Sequence, residues 1–297
     1  MTFREEEDEW LALGGAPPAP GIIVRGMTQR AARRRRAMRD WGRNRETGER
    51  RISVPVKRIL TRWCAAQDPE NLNPDAILGD SELRRALMRV FETTVRDTWI
   101  SGYSWEQRWI EDRVQMERQA QIKLPPWIEN QIRAWLGVRG PGFWNRISMR
   151  VRDTIRKIMS RSASDGLTLR ERSKKIADAL GVAPGYVSQR IARTESVASI
   201  NNGQQANRTE LGIEFKEWSS TIDKRTRVGV YDHVSPDGEV AYNDDAFEVS
   251  GELLLHPGDI SLGATAGNVI QCRCAALAAF DVEEAPPRRG VSPLLPR

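Results

Sequence analysis

Apolar side chains recur every three to four positions from Leu83 as far as Leu211, the period of helices with one buried face. Thr28 to Arg45 can form a helix with Thr28 as its N-cap. Leu83, Leu87, Val90, Phe91 and Thr94 share one face of a second helix, capped by Asp80 or Ser81. Trp105 and Trp109 stand one turn apart on the next helical run, which ends near Leu124-Pro125-Pro126. Ile128, Ile132, Trp135 and Leu136 mark a short helix stopped by Gly137 and the Gly140-Pro141-Gly142 turn. Phe143, Ile147, Val151, Ile155 and Ile158 form the apolar stripe of another, with Arg146, Arg150 and Arg152 turned outward. Thr168 and Glu171 fit a capping box. The helix they open carries Leu169, Ser173, Ile176 and Leu180 on one face and stops at Gly181. After Ala183-Pro184-Gly185 a long helix runs to about Leu211, with Gly212 just beyond it.

Past Gly212 the helical period is lost. IEFKEWSS favours a strand, Asp223 to Arg227 is a polar turn, and YNDDAFEVSGELLL alternates loosely between turn signals. The fold class this predicts is α+β. A mainly helical N-terminal region is joined by a long helix to a small C-terminal α+β domain with short strands. Its divisions are a flexible leader at 1–27, a basic, Trp-rich helical region at 28–165, the C-terminal domain at 166–280 and a Pro-rich tail at 281–297. Nine of the ten tryptophans lie at or before Trp144, where they read as large apolar anchors.

Charge adds what hydropathy does not show. The net charge of +6 hides a segregation. Gly21 to Trp63 holds fourteen Arg and Lys against three acids, a net of +11. Phe143 to Glu195 holds twelve against five, a net of +7, whereas Glu210 to Leu262 holds four against twelve, a net of −8. A basic front attracts polyanions, nucleic acid first among them, and the alternative is a solvated arm that meets an acidic protein surface. Arg30, Arg33, Arg34, Arg35, Arg36, Arg39 and Arg43 are the candidate DNA contacts. Consecutive arginines spread round a helix suit phosphates rather than base edges. No apolar run approaches the ~18 residues of a membrane span, the acidic N-terminus is not a secretory signal, and three cysteines suit a reduced setting.

The most distinctive stretch runs from Arg190 to Cys274. IARTESVASINNGQ brings Arg193, Glu195 and Asn201; then come KEW, the D-x-R-T-R of Asp223, Arg225, Thr226 and Arg227, His233, Asp237-Gly238, Pro257-Gly258-Asp259 and NVIQCRC. In this order they resemble the phage head morphogenesis family, the minor head proteins of the phage Mu F type, over about Gly166 to Phe280. Two features depart from it. The interval from Arg227 to His233 is longer than usual, and the family's N-C-R-C ending is spread into Asn268, Val269, Ile270, Gln271 and then Cys-Arg-Cys. The resemblance implies a structural virion protein, assembled in the host cytoplasm and sited near the portal vertex. It would assist head assembly and DNA packaging or ejection. Its partners would be the portal protein, other capsid or scaffold proteins and genomic DNA held without sequence preference, with no membrane and no small-molecule substrate. No enzymatic role is implied.

The polar residues of this stretch are expected to clasp the long helix to the small sheet. Glu195 should reach an arginine such as Arg225 or Arg227, and Arg193 one of the acids of the C-terminal unit. Asn201 should bond backbone across the helix–strand junction, and Gly203 should mark a close backbone approach. His233, His256, Cys272 and Cys274 form a Cys/His set of four, the ligand number a structural zinc takes; buried thiols with hydrogen-bonded histidines are the other reading. Zinc is the one cofactor suggested. An enzymatic alternative treats Asp232-His233, with Asn243, as the start of an HNH-type metal-dependent nuclease, but no closing His or Asn follows a zinc pair.

Overall fold

Long helices carry most of the chain in the computed structural model, which describes residues 22–68, 73–114, 124–164, 167–223, 226–280, 282 and 284–290, with the backbone alone at 22–31 and at several positions between 158 and 186. The predicted leader up to residue 21, Arg225 and the last part of the Pro-rich tail lie outside the described residues. The chain divides into two compact units, Met1–Asp40 and Trp41–Arg297. The described part of the first is the leading stretch of helix α1 (Ile22–Ala65), which begins before the predicted cap at Thr28. None of the described helices is long and apolar enough to cross a membrane.

In the second unit, α1 ends and is followed by α2 (Ala76–Gly79), α3 (Ser81–Val114), α4 (Pro126–Ser164) and α5 (Leu169–Glu210). Their buried positions repeat at intervals of about four: Ile52, Val56 and Leu60 on α1; Leu83, Leu87, Phe91 and Val95 on α3; Phe143, Ile147, Val151 and Ile155 on α4. These rows interlock with Ile77, Trp135, Val187 and Ile191 into one core. Asp80 caps α3 by accepting from the Leu83 amide at 2.8 Å, and its other oxygen accepts from Trp63 Nε1 at 2.8 Å, tying α1 to that cap. Trp41 lies buried with Nε1 on Gln204 Oε1 at 3.2 Å. Both tryptophans of the arm therefore serve protein packing.

Three predicted breaks are absent. The face of Leu83 and the run of Trp105 and Trp109 belong to one helix, α3. α4 continues through Gly140-Pro141-Gly142. Ile128, Ile132, Trp135, Phe143 and Ile147 keep one buried face in phase across it, and burial of that face outweighs the cost of an interior proline. α5 likewise continues through Gly181 and Pro184. A glycine stop requires a left-handed residue, and Gly181 instead lies inside the helix. Gly212 does, at φ 64°. The Ile213 amide reaches Arg208 O at 2.9 Å and the Gly212 amide reaches Thr209 O at 3.3 Å, so the helix closes there in a Schellman motif. The capping box at Thr168 and Glu171 forms as predicted.

The C-terminal sheet has β1 (Phe215–Ser219) at its centre, antiparallel to β2 (Val240–Tyr242) and β5 (Ala275–Ala279). Glu217 stands opposite Val240 on one side and Leu277 on the other. β3 (Phe247–Val249) and β4 (Glu252–Leu254) form a separate hairpin. It closes through Ser250 and Gly251, both at positive φ, as a two-residue turn of the I′ kind demands. A single 3-10 turn (Gly229–Tyr231) precedes β2, and the short α6 (Ala266–Val269) precedes β5. β5 is nearly all alanine and fully buried, so its backbone lies against the helices. The described part of the tail docks through its charges: Arg288 pairs with Asp244 at 3.2 Å and Arg289 with Glu239 at 2.8 Å.

Candidate functional site

The C-terminal half of α5 passes between the other helices and the sheet, and most of its polar side chains from Thr194 to Arg208 are buried. Asn201 bonds backbone across the helix–strand junction. Its amide nitrogen donates to Cys274 O at 3.2 Å and its oxygen accepts from the Ala276 amide at 2.8 Å, so it pairs with β5 as another strand would. At Gly203 a Cβ would stand 2.1 Å from Trp99 O, and at Gly102 one would stand 2.3 Å from Ile200 O. α3 and α5 therefore touch backbone to backbone at these two glycines.

Glu195 and Arg193 find other partners than those expected. Glu195 is fully buried between Arg139 Nε at 3.0 Å and Arg146 Nη2 at 2.5 Å, both from α4 rather than from the D-x-R-T-R turn. Burial alone would push its carboxyl up; the two guanidinium groups more than offset this and hold it below the usual range. Arg139 lies over the Trp135 ring and donates to Gly258 O at 3.1 Å, so Glu195 anchors the Pro257-Gly258-Asp259 loop through it. Arg193 pairs with Glu49 of α1 at 3.2 Å, beside the Arg45–Glu49 pair. Both partners come from segments distant in sequence, which no local spacing encodes.

The remaining predicted residues fasten loops. Asp223 pairs with Arg273. Arg227 donates to the carbonyls of Gly267 and Ile270, closing α6 onto the loop before β2. Asp237 accepts from the Ser220 amide at 2.7 Å, and Gly238, at φ 87°, donates its amide to Trp218 O at 2.9 Å. Asp259 accepts from the amides of Leu255 and Ser261 at 3.0 and 2.9 Å. Gly258, at φ 83°, sits where a Cβ would press on Ala198.

A second polar knot was not singled out from the sequence. Arg208, fully buried, donates to Glu106 Oε1 at 2.7 Å, to Ala276 O at 2.8 Å and, through Nε, to Asn243 Oδ1 at 2.9 Å. Glu106 also accepts from Gln204 Nε2 at 2.9 Å and from the Ala278 amide at 3.1 Å. Lys216, buried on β1, donates to Leu255 O at 2.6 Å and Asn243 O at 3.0 Å. Its burial, with Arg208 close by, depresses its pKa well below the usual lysine range. The signal was a polar stripe on α5, Asn201, Gln204 and Arg208 at intervals of three and four, which has the pattern of a solvated face.

The four-membered Cys/His set resolves into three and one. His233 Nδ1 lies 3.5 Å from Cys272 Sγ and 3.6 Å from Cys274 Sγ, and all three residues are buried. His256 stands elsewhere: its Nε2 meets Asn202 Nδ2 at 3.2 Å and its Nδ1 meets Pro257 O at 3.2 Å. Trp99 Nε1 donates to Asn202 Oδ1 at 2.7 Å, which fixes the Asn202 amide with its nitrogen toward the ring. His256 is thus held neutral, with its proton on Nδ1. Burial lowers its pKa to about 4. An unfolded histidine takes a proton near pH 6.5, so acidification favours the unfolded chain. The His256 contribution is intact above about pH 6.5 and is lost as pH falls toward about 4, a loss of up to about 3 kcal/mol. Denaturant midpoints taken between pH 7.5 and 4.5 should fall steeply in the native protein and less steeply in His256→Gln; equal slopes would contradict the assignment.

The residues of the nuclease alternative are engaged in local structure. Asp232 Oδ1 accepts from the Val234 and Ser235 amides at 2.8 and 3.2 Å, His233 turns inward, and Asn243 is occupied by Arg208.

What the fold and the buried clasp define is a helical structural module ending in a small sheet. Residues 153–277 match the family model described as Phage Mu protein F like protein. The match covers the stretch whose motifs resemble the phage head morphogenesis family. No curated protein and no solved structure gives a significant match.

Proposed function

We propose that the protein is a minor structural component of a tailed-phage head, placed at the portal vertex, where it aids head assembly and the passage of DNA. The family match over residues 153–277 carries this reading. The geometry of the matched region supports it: most of the motif residues described there tie one segment to another, as suits a rigid part of an assembly. Its partners are the portal protein, other capsid or scaffold proteins, and the genome.

The genome is met through the basic arm. Arg33, Arg35, Arg36 and Arg39 are exposed on α1 within the first unit, Arg34 is half-buried, and Arg43, in the second unit, is also exposed. Arg30 is placed by its backbone alone. Helical spacing of three and four residues lets such side chains reach successive phosphates without reading bases. Deleting the arm as far as Trp63 is not a usable test, because Ile52, Val56 and Leu60 belong to the core. Replacing Arg33, Arg35, Arg36 and Arg39 by glutamine leaves that core intact. The slope of log affinity for duplex DNA against log salt should then fall by roughly 0.9 for each phosphate no longer neutralised, or about 3 to 4 in all. An unchanged slope with unchanged melting would overturn the DNA role.

A further inference from the structure

We infer that His233, Cys272 and Cys274 form a metal site that holds one zinc ion, or another soft divalent cation, with three protein ligands. The ligand atoms Nδ1, Sγ and Sγ lie within 4.8 Å of one another. The two N···S separations are 3.5 and 3.6 Å. With Zn–N of about 2.0–2.1 Å and Zn–S of about 2.3 Å, a tetrahedral ion sets its nitrogen and sulfur ligands about 3.5 Å apart. Both sulfurs therefore already stand at the separation from Nδ1 that the ion requires.

The surroundings prepare each ligand for that role. Asn268 Nδ2 donates to Val249 O at 3.1 Å and to Glu252 Oε2 at 2.8 Å, which turns its oxygen toward His233. That oxygen meets His233 Nε2 at 3.2 Å, so the ring proton sits on Nε2 and the Nδ1 lone pair faces the sulfurs. A metal-bound histidine characteristically donates its other ring nitrogen in this way. Cys272 and Cys274 are two residues apart, and extended chain puts such residues on one face. Gln271, just before them, is a non-glycine residue at φ 59°, held by the Thr194 hydroxyl on its amide at 3.1 Å. The Cys274 amide points at Cys272 Sγ at 3.4 Å, a donor suited to a thiolate. Trp218 closes over the histidine edge-on, with ring centroids 5.7 Å apart.

The ion would join the loop after the 3-10 turn to the residues just before β5. Its fourth position falls to water, since no further His, Cys, Asp or Glu joins the group among the described residues. This role stands apart from the head-assembly reading, and either could fail alone.

Full-length protein purified without chelator should contain about one zinc per chain by elemental analysis. Exchange for cobalt(II) in reduced protein should give a sulfur-to-cobalt charge-transfer band and the strong visible bands of tetrahedral coordination. Cys272→Ser, Cys274→Ser and His233→Ala should each lose the metal and those bands, while Cys64→Ser and His256→Gln should keep both. Where a variant fails to fold, alkylation of the native protein serves instead, and one zinc should leave as the two thiols are blocked. Protein that carries no zinc and takes up no cobalt after reduction would overturn the site, as would cobalt bands that persist without Cys272 and Cys274.

Discussion

Arg208→Met should lower the stability of the protein by about 3–5 kcal/mol, the cost of leaving a buried charge without its partner. Arg208 and Glu106 are both fully buried and meet at 2.7 Å. Without the guanidinium, Glu106 keeps only Gln204 Nε2 and the Ala278 amide as donors, while Ala276 O and Asn243 Oδ1 lose theirs. The damage reaches α3, α5, β5 and the turn after β2 together. Its size should be read from the shift of the denaturant midpoint at constant slope. The double variant Glu106→Leu with Arg208→Met should recover part of the loss, because no buried charge then stands alone. A single-variant loss below about 1 kcal/mol would mean that the knot does not hold the sheet to the helices.

Gly203→Ala should also destabilise, by roughly 2–3 kcal/mol, although alanine is the better helix former by about 1 kcal/mol. The added Cβ would stand 2.1 Å from Trp99 O and 2.9 Å from Tyr103 N. These are backbone atoms of a packed helix and cannot rotate away, so α3 and α5 must separate and loosen Trp99, Tyr103 and Ala206. Gly102→Ala should behave alike, since its Cβ would stand 2.3 Å from Ile200 O. Gly137→Ala supplies the internal control. It lies within α4 with nothing within 4 Å of its Cβ position, so propensity alone should act and the variant should gain about 0.5–1 kcal/mol. Thermal melts of the three variants settle the point by sign. A Gly203→Ala protein as stable as Gly137→Ala would show that the helices do not meet there.

Single residues show where sequence reading succeeds and where it stops. Asp80, Thr168, Glu171 and Gly212 act within a few residues of themselves, and each caps or ends a helix as predicted. Gly137, the Gly140-Pro141-Gly142 run and Gly181 carry equally strong local signals, yet the helices continue through them. At the first break the reason is that residues on both sides share one buried face. The phase from Ile132 and Trp135 to Phe143 and Ile147 was legible, but it was outvoted by composition. Glu195 shows another limit. Its burial and need for a cation follow from its place on the core face of α5, but many arginines were available. The choice of Arg139 and Arg146 depends on how α4 lies against α5.

The sequence by itself determined the α+β class, the helix caps at Asp80 and Thr168 and the stop at Gly212. It also determined the match of residues 153–277 to the Mu F-like family model and the backbone bonding of Asn201 across the helix–strand junction. These rest on local hydrogen bonds or on an ordered set of motifs, and both are written along the chain. Only the tertiary structure decided that α4 and α5 run unbroken and that Glu106, Arg208 and Lys216 are buried together. It alone separated His256 from the cluster of His233, Cys272 and Cys274. Those outcomes depend on which surfaces exclude water when distant segments meet, and a polar side chain carries the same letter whether its partner is water or a buried carbonyl.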